Sequence, residues 1–476
     1  MMPVQTAALR GRPLTTVSTD HSTRKIIAMK NTLQTGLNRR EFLRRAVLAA
    51  AAASFTAPWV PHLRAAAKDT ILHAAVGVGG QGGSDLEMFT HFDYVKLVAV
   101  ADVAAENTAR WKKEFPNIRV YTDWRQLLDK EKQLDSLNVA TPDHMHAPIA
   151  MTAMQRGLHV YCQKPMTHDV SEARALTKFA AEKKLITQMG IQIHSSSEYR
   201  TAVQLVHSGI IGKIKEVHAW SNKKWGDMEA KPDRTDPVPA GLAWNDWLGV
   251  CADRPFIGGG YYHPGNWRKR LDFGTGTFGD MGCHIYDPVF KAVALTSPLS
   301  LKSLGPEPNR WNWSINAKIE YVFPRTPFTA GDTVNVTWYD GDQKPPQAVL
   351  ALLEGEEAPG QGSILIGTDG VMCIPHIAQP KLYPKAKFAD RKLERVKGLN
   401  HYEQWLEAVR GTGQCSANFD YSGPLTETVL LGGVATRFKD LTLELDSANV
   451  RFKNSTAANA LLKRAYRQGW EVKGLA

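Results

Sequence analysis

The sequence predicts an α/β protein in which a doubly wound parallel sheet of the Rossmann type precedes an α+β domain with a largely antiparallel, open sheet. Two observations predict this arrangement. From residue 71, short apolar runs alternate with amphipathic stretches of helical length, as in a parallel sheet with helices on both faces. From about residue 191, the apolar runs continue without regular helices between them. We therefore expect domains at residues 68–190 and 191–476, behind an N-terminal segment of different character.

The composition excludes several classes of protein. The 476 residues are 43% hydrophobic, and no apolar run reaches the roughly 20 residues that a membrane-spanning helix needs. A collagen, a disordered tail protein and a polytopic membrane protein are therefore excluded. The five cysteines are scattered, without a CxxC pair or a metal-ligand spacing, so we expect free thiols and no essential disulfide.

Residues 1–67 have the features of a cleavable export signal. They hold ten Lys or Arg and two acids, which is +8 of the chain's net charge of +11. The pair Arg39-Arg40 is followed by a mildly apolar run at 46–57 and by three alanines at 65–67. Paired arginines at this place predict the twin-arginine route to the periplasm. The alternative is a basic tail ahead of a buried alanine-rich helix.

Removal of this segment leaves a nearly neutral chain with a net charge of +3. Nothing in that balance favours a polyanion, so we expect no nucleic-acid partner. We also expect no membrane span in the mature chain.

Strands of the first domain are expected where apolar runs stand between helical stretches, at Ile71–Val76, Val95–Ala101, Arg119–Tyr121, Leu137–Ala140, His159–Cys162 and Leu185–Met189. The first helix is expected to run through Met88 and the second through Phe115. Strands of the second domain are expected at Glu216–Trp220, Ala317–Phe323, Thr333–Trp338 and Ser363–Ile366. Pro, Gly and charge predict loops at 226–241 and 341–362.

A glycine-rich turn between the first strand and the first helix predicts a nucleotide site. Glycines allow the backbone to approach a pyrophosphate, and the helix N-terminus offers free N–H groups to its oxygens. Asp102 ends the second strand, where a carboxylate can accept both ribose hydroxyls of an adenosine. An acid there repels a 2′-phosphate, which favours NAD over NADP. The cofactor residues predicted in the turn are Gly77, Gly79, Gly80, Gln81 and Gly82.

Two further segments follow predicted strands of the same sheet. Thr141 and His146 lie in Thr-Pro-Asp-His-Met-His after the fourth strand. The Asp-His-x-His pattern suits a metal, but no third ligand stands nearby, so we predict no metal site and assign the segment to the cofactor cleft. After the fifth strand, Gln163 and Lys164 are expected to face the same cleft, where desolvation would favour a proton-transferring lysine.

A third cluster lies in the second domain. If Asp280 begins a helix, then Asp280, His284 and Asp287 share one face at i, i+4 and i+7. A carboxylate one turn from an imidazole can fix its tautomer and support a proton-accepting role. A helix cap with a satisfied polar contact is the alternative for an isolated pair.

Together these motifs resemble the Gfo/Idh/MocA family of oxidoreductases, the relatives of glucose–fructose oxidoreductase and inositol dehydrogenase. The resemblance rests on the glycine turn with Asp102, Thr-Pro-Asp-x-x-His, Lys164-Pro165 and Asp280-x-x-x-His284, and covers nearly the whole mature chain. It is strongest for an exported branch with Tyr-His-Pro-x-Asn-Trp-Arg before the third cluster. It implies sugar or polyol substrates, catalytic roles for Lys164, Asp280 and His284, and a homo-oligomer formed through the C-terminal sheet.

Two positions depart from the family pattern. Gln163 stands where the family usually has Glu, and His194 replaces an arginine common after the sixth strand. We place His194 with the substrate. Sugars offer C–H faces to aromatic rings and hydroxyls to polar groups. The substrate residues predicted on this basis, just before the third cluster, are Tyr262, His263, Asn266, Trp267 and Arg268.

The resulting hypothesis is an NAD-dependent oxidoreductase that acts on a ring hydroxyl of a sugar or glycoside. His284 would accept the hydroxyl proton while hydride leaves the same carbon, Lys164 would stabilise the developing alkoxide, and Asp280 would orient the imidazole or a neighbouring hydroxyl. An exported enzyme lacks a soluble NAD pool, so we expect tightly held cofactor. Two alternatives stay open, an NAD-dependent glycoside-cleaving enzyme and a non-catalytic sugar-binding protein.

Overall fold

The computed structural model describes residues 68–475, so the export signal predicted for residues 1–67 lies outside the described residues. The first sheet consists of β1 (Ile71–Val76), β2 (Val95–Ala101), β3 (Arg119–Tyr121), β4 (Ser136–Val139), β5 (His159–Gln163) and β6 (Thr187–Gly190). Its order is β3-β2-β1-β4-β5-β6, and each neighbouring pair is parallel. The chain therefore reverses its direction of winding between β1 and β4, as in a Rossmann fold.

Helices connect these strands in turn. They are α1 (Gly80–Thr90), α2 (Ala105–Glu114), α3 (Trp124–Lys130), α4 (His146–Gln155) and α5 (Val170–Lys183). A capping box fixes the start of α5, because the Asp169 side chain accepts from the backbone and Glu172 accepts from the Asp169 N–H at 3.0 Å. Each crossover thus contains one helix, as the alternating sequence pattern predicts.

The second sheet has nine strands in the order β13-β12-β11-β7-β10-β9-β8-β14-β15. They are β7 (Ile214–Ser221), β8 (Ser300–Ser303), β9 (Lys318–Pro324), β10 (Thr333–Asp340), β11 (Gln361–Gly367), β12 (Val371–Pro375), β13 (Lys381–Tyr383), β14 (Thr442–Asp446) and β15 (Arg451–Phe452). Only the β7–β10 pair among these is parallel. Burial alternates residue by residue along β9, as in a strand with one face on a core. The predicted fold class is confirmed.

The remaining helices are α6 (Ser197–His207), α7 (Trp244–Leu248), α8 (Gly276–Val293), α9 (Gln347–Leu350), α10 (Lys385–Phe388), α11 (His401–Val409), α12 (Phe419–Ala435) and α13 (Thr456–Asn459). Short 3₁₀ turns lie at Asp143–Met145, Gln192–Ser195, Asn266–Lys269 and Ala351–Leu353. Helix α8 is buried over most of its length, packed against α6, α12 and the second sheet. It begins at Gly276, one turn before the start at Asp280 that the sequence analysis considered.

The end of the chain returns to the first sheet. Tyr402 and Trp405 of α11 pack with Phe89 and Tyr161, and the ring centroids of Phe89 and Trp405 are 5.2 Å apart. Helix α12 packs against α5. The core of the N-terminal sheet is therefore completed by residues beyond position 400, although its strands all precede residue 191.

One predicted loop contains regular structure. Residues 226–241 are irregular as predicted, but α9 and the Ala351–Leu353 turn interrupt the 341–362 segment. Pro346 precedes α9, where its fixed φ favours a helix start, and Val349 and Leu353 are buried against the second sheet. Burial of these two side chains outweighs the loop-like composition around them.

No described helix combines the length and apolar character needed to cross a membrane. The five cysteines are free thiols, and four of them are buried.

Candidate active site

A cavity of about 520 Å³ extends from the carboxyl ends of β1, β2, β4 and β5 to the N-terminal half of α8. That volume is in the range of small-molecule sites. The predicted residues that line it are Gly77, Gly79, Gly80, Gln81, Asp102, Thr141, His146, Gln163, Lys164, His263, Trp267, Arg268, Asp280 and His284. Side chains distant in sequence therefore meet at one surface.

Close packing makes two of the glycines obligatory. Gly77 has φ +77°, and a Cβ there would lie 2.6 Å from the Ala140 carbonyl oxygen. A Cβ on Gly82 would lie 2.0 Å from the Gly77 carbonyl oxygen. Gly82 thus packs the start of α1 onto the turn and does not line the cavity.

The turn leaves the start of α1 open to a ligand. Gly79 is the N-cap residue and offers no side chain to the free N–H groups of the first turn, and no atom occupies the space beside Gly80. Such N–H groups bind anions. Asp102 lies beside them and accepts from the N–H groups of Val78 at 2.8 Å and Ala104 at 2.9 Å. Free donors beside a strand-end carboxylate fit the pyrophosphate and ribose of a dinucleotide such as NAD.

Lys164 reaches from the end of β5 to α8. Its Nζ donates to the Asp280 carbonyl at 2.9 Å and to Asp280 Oδ1 at 2.8 Å. Burial alone would raise the pKa of Asp280, but the adjacent Lys164 and Arg268 hold it well below its usual range. Asp280 is therefore a carboxylate that fixes the lysine, and the hypothesis that it orients the imidazole of His284 is not supported by its contacts.

His284 lies one turn beyond Asp280 and faces the same cavity. Burial, with the charge of Lys164 added, lowers the pKa of His284 well below its ordinary value. Its Nδ1 is buried without a hydrogen-bond partner among the described residues, so Nε2 is the nitrogen left to meet a substrate. The imidazole is neutral at ordinary pH and can accept a proton.

Gln163 connects the cavity to a buried carboxyl group. Its Nε2 donates to Asp85 Oδ2 at 2.7 Å, and its Oε1 accepts from the Lys164 N–H at 3.2 Å. Asp85 is fully buried, and burial raises its pKa although four polar side chains donate to it. The amide at position 163 therefore supplies a donor where a glutamate would bring a second carboxylate.

His146 holds two loops of the cleft together. Its Nδ1 lies 2.7 Å from the Pro165 carbonyl oxygen and its Nε2 lies 2.8 Å from the Thr141 carbonyl oxygen. Burial lowers the pKa of His146, so the neutral ring, which has one N–H, donates to only one of these two carbonyls. Its neighbour His144 contacts the Trp247 carbonyl at 3.0 Å. No cluster of three metal-ligating side chains occurs among residues 68–475.

Three predicted substrate residues do not line the cavity. His194 is paired with Asp287 through Nδ1 and Oδ1 at 2.8 Å. Tyr262 is 3% exposed and packs in an aromatic core with Trp244. The Asn266 amide donates to the Gly260 carbonyl at 2.9 Å, away from the cavity lining. The contacts of these three side chains stabilise the structure around the cavity, and none of the three lines it.

Among the lining residues that the sequence did not predict are two that follow strands of the second sheet. His376 follows β12, with its Nδ1 2.8 Å from Tyr199 Oη and its ring 5.8 Å from that of His284. Burial, with Lys223 and Lys164 nearby, lowers the pKa of His376 to about 4. Lys223 follows β7 and points its Nζ to within 3.7 Å of an Asp280 oxygen. Both residues follow strands of the second sheet, and neither belongs to a recognisable local motif.

Comparisons with known proteins agree with this geometry. Residues 71–191 match the family profile described as "Oxidoreductase family, NAD-binding Rossmann fold" (GFO_IDH_MocA). The chain is 22% identical over 188 residues to levoglucosan dehydrogenase of Pseudarthrobacter phenanthrenivorans. This aligned region covers 40% of each chain. It is 26% identical over 148 residues to an alpha-N-acetylgalactosaminidase of Shewanella oneidensis, which covers 29% of this chain and 32% of that protein.

The fold also resembles solved structures over most of its length. The WlbA dehydrogenase from Bordetella pertussis, solved with NADH and UDP-GlcNAcA, aligns with a TM-score of 0.56 and 14% identity over 79% of this chain and 99% of that one. At that identity the likeness concerns the fold alone. The matched regions span less than half the length of levoglucosan dehydrogenase and of the alpha-N-acetylgalactosaminidase. The matches support an NAD-binding Rossmann domain of Gfo/Idh/MocA type at residues 71–191.

Proposed function

We propose that this chain is an NAD-dependent oxidoreductase of the Gfo/Idh/MocA family that oxidises a ring hydroxyl of a sugar or glycoside. One observation carries the proposal. A neutral imidazole, His284, and a fixed amine, Lys164, line the same cavity as an open glycine turn. A base, a cationic donor and a dinucleotide cradle in one cavity are the groups that oxidation of an alcohol requires.

The geometry supports a division of labour between these two side chains. His284 Nε2 accepts the proton of the substrate hydroxyl. Lys164 uses two of its three N–H donors on Asp280, which leaves one for the alkoxide oxygen. Asp280 acts as a positioning residue that keeps the amine in place. Bound NAD supplies the hydride acceptor, C4 of its nicotinamide.

Acidic residues at the ribose end support NAD over NADP. Asp102 and Glu106 both line the cavity there, and no arginine lines that part of it. Two carboxylates repel a 2′-phosphate, whereas a ribose with free hydroxyls can donate to Asp102. We propose that NAD is held tightly and recycled within one catalytic cycle, since the sequence of residues 1–67 predicts export.

A released nucleotide tests the proposal directly. We expect the purified protein to yield NAD(H) on denaturation and to change absorbance near 340 nm with sugars or glycosides. His284→Gln should lower kcat by about 10²-fold or more while NAD remains bound, because it removes only the base. His91→Gln, on the exposed surface, is the matched control. If the protein releases no nucleotide and binds none that is added, the oxidoreductase function is excluded.

The second imidazole favours one further candidate function, cleavage of a glycoside. His376 and His284 are both neutral and flank the same space. After oxidation, a second base can remove the acidified C–H proton next to the new carbonyl, which expels the aglycone. Water then adds in its place, and return of the hydride to the carbonyl restores the alcohol, so the overall change is hydrolysis. In the same assay this function would release free aglycone without net NADH, whereas a dehydrogenase would accumulate NADH.

A further inference from the structure

Three cations surround one carboxylate at the end of the cavity formed by the second domain. The nitrogens of Lys164, Arg268 and Lys223 lie 2.8, 3.4 and 3.7 Å from oxygens of Asp280. All four side chains line the cavity. The proposed mechanism uses Lys164 and Asp280 as a pair, which leaves the charges of Arg268 and Lys223 uncompensated.

Arg268 is held in place with much of its hydrogen-bonding capacity unused. Its guanidinium carbon lies 4.2 Å from the ring centroid of Trp267 and 5.5 Å from that of Trp225. Apart from its long contact to Asp280, the Gly265 carbonyl at 3.5 Å is the only acceptor within reach among residues 68–475. A guanidinium has five N–H donors in a planar fork that suits a carboxylate. Stacking therefore orients a guanidinium that lines the cavity and has donors to spare.

Lys223 is likewise without a close partner among the described residues. Its Nζ makes no hydrogen bond there, and its 3.7 Å approach to Asp280 is too long for one. The adjacent Lys224 points elsewhere and pairs with Asp342 at 2.7 Å. Of these two consecutive lysines, Lys223 lines the cavity and Lys224 does not.

The other acids of the cavity do not balance this charge. Asp102 and Glu106 belong to the first domain, beside the glycine turn, and Asp246 is paired with Arg125 at 3.5 Å. Asp143 accepts from a threonine hydroxyl, and burial raises its pKa, which opposes its ionisation. The cofactor's phosphates are expected at the glycine turn, so they do not account for the two free cations either.

We infer that the substrate is an acidic sugar, a hexuronate or a glycoside of one, whose carboxylate is bound by Arg268 and Lys223. This inference rests on the proposed function and names its substrate class. Arg268 would take the carboxylate through its planar fork, and Lys223 would add a second, more mobile charge. The carboxylate would sit at the α8 end of the cavity, which leaves the ring hydroxyls for His284 and Lys164.

Paired sugars test the inference without knowledge of the natural ring. We would measure calorimetrically the binding of glucuronate, galacturonate and mannuronate to the NAD-loaded protein, each against its neutral parent hexose. We expect at least one acid to bind about 10-fold or more tightly than its parent, with an advantage that falls as salt rises. Equal affinity within all three pairs would overturn the inference.

Variants locate the effect. Arg268→Gln should abolish the preference for the acid, Lys223→Gln should reduce it, and Arg268→Lys should restore part of it if thermal denaturation shows that all three fold. Lys224→Gln is the matched control and should leave both affinities unchanged. NAD affinity should not change in any variant; its loss in Arg268→Gln or Lys223→Gln would assign these cations to the cofactor and overturn the inference. Because binding is measured rather than turnover, failure of the proposed oxidation is recognised separately.

Discussion

At the scale of single residues, the amide of Gln163 donates a hydrogen bond to a buried carboxyl group behind the glycine turn. Asp85 is fully buried and takes hydrogen bonds from Gln163, Gln81, Gln192 and Tyr402. A glutamate at position 163, which the family resemblance leads one to expect, would set two carboxyl groups in contact. The buried acid at position 85 and the amide at position 163 are therefore matched to each other.

We predict that Gln163→Glu lowers the free energy of unfolding by about 2–3 kcal/mol at pH 8, because it replaces a donor to a buried acid by a like charge. Burial and Asp85 would raise the folded-state pKa of the new carboxyl above its unfolded value. Such a group destabilises the fold as pH rises above the unfolded pKa, so the loss should be smaller near pH 4.5. Urea unfolding at both pH values measures it, with the exposed Gln133→Glu as control.

At the scale of elements, the strand–turn–helix formed by β1 and α1 is fixed by contacts between backbone atoms. Gly77 approaches the Ala140 carbonyl, and Gly82 approaches Gly77. The turn thereby connects β1, β4 and the first turn of α1 into one surface. Its shape depends on the absence of side chains at two positions. No capping side chain makes a hydrogen bond to the start of α1.

We predict that Gly82→Ala destabilises the protein by about 1–3 kcal/mol, because its Cβ would meet the Gly77 carbonyl at 2.0 Å. NAD affinity should fall with it, since the turn must shift. Thermal denaturation and an NAD titration measure the two effects. Ser84→Ala, on the exposed side of the same helix, should change stability by no more than about 0.5 kcal/mol. Equal effects of the two variants would contradict the role assigned to Gly82.

At the scale of the whole molecule, the groups to which we assign catalytic roles come from both domains. Lys164 belongs to the first domain, while Asp280, His284 and His376 belong to the second. Neither domain alone holds the base, the amine and the nucleotide cradle. We propose that such a protein is exported in its folded state, with NAD already bound, and that the open C-terminal sheet joins copies of it into a homo-oligomer.

We predict that Arg39→Lys with Arg40→Lys retains the protein in the cytoplasm, because the twin-arginine route reads the paired arginines. Arg44→Lys with Arg45→Lys, a few residues further on, is the matched control and should still be exported. Immunoblots of cytoplasmic and periplasmic fractions measure this, and the periplasmic protein should contain NAD(H). Export of both variants alike would contradict the twin-arginine route, and cytoplasmic retention of the unaltered protein would argue for the basic-tail alternative.

The fold and half of the candidate site could be predicted because their signals are local. The glycine turn, Asp102 and Lys164 each follow a strand of a parallel sheet, and such positions converge at one sheet edge. Spacing along α8 placed Asp280 and His284 on one face, but it could not identify Lys164, 116 positions away, as the partner of Asp280. For the same reason the sequence could not identify Asp287 as the partner of His194.

Lys223 and His376 were missed on physical grounds of a different kind. Each follows a strand of a mixed sheet, where neighbouring strand ends point in opposite directions. Sequence position then gives no indication of which edge a residue will reach. Only the pairing of β7 with β11 and of β11 with β12 brings them to the cavity.

The return of α11 to the first sheet has a consequence for the order in which the protein matures. Asp85 and the hydroxyl of Tyr402 meet across 317 positions, and Trp405 closes the aromatic core beneath β1 and β5. A chain still emerging from the ribosome lacks these residues, so it exposes Phe89 and Tyr161 until synthesis is nearly finished. We therefore expect the core of the first sheet, and with it the support behind the glycine turn, to be completed only late in synthesis.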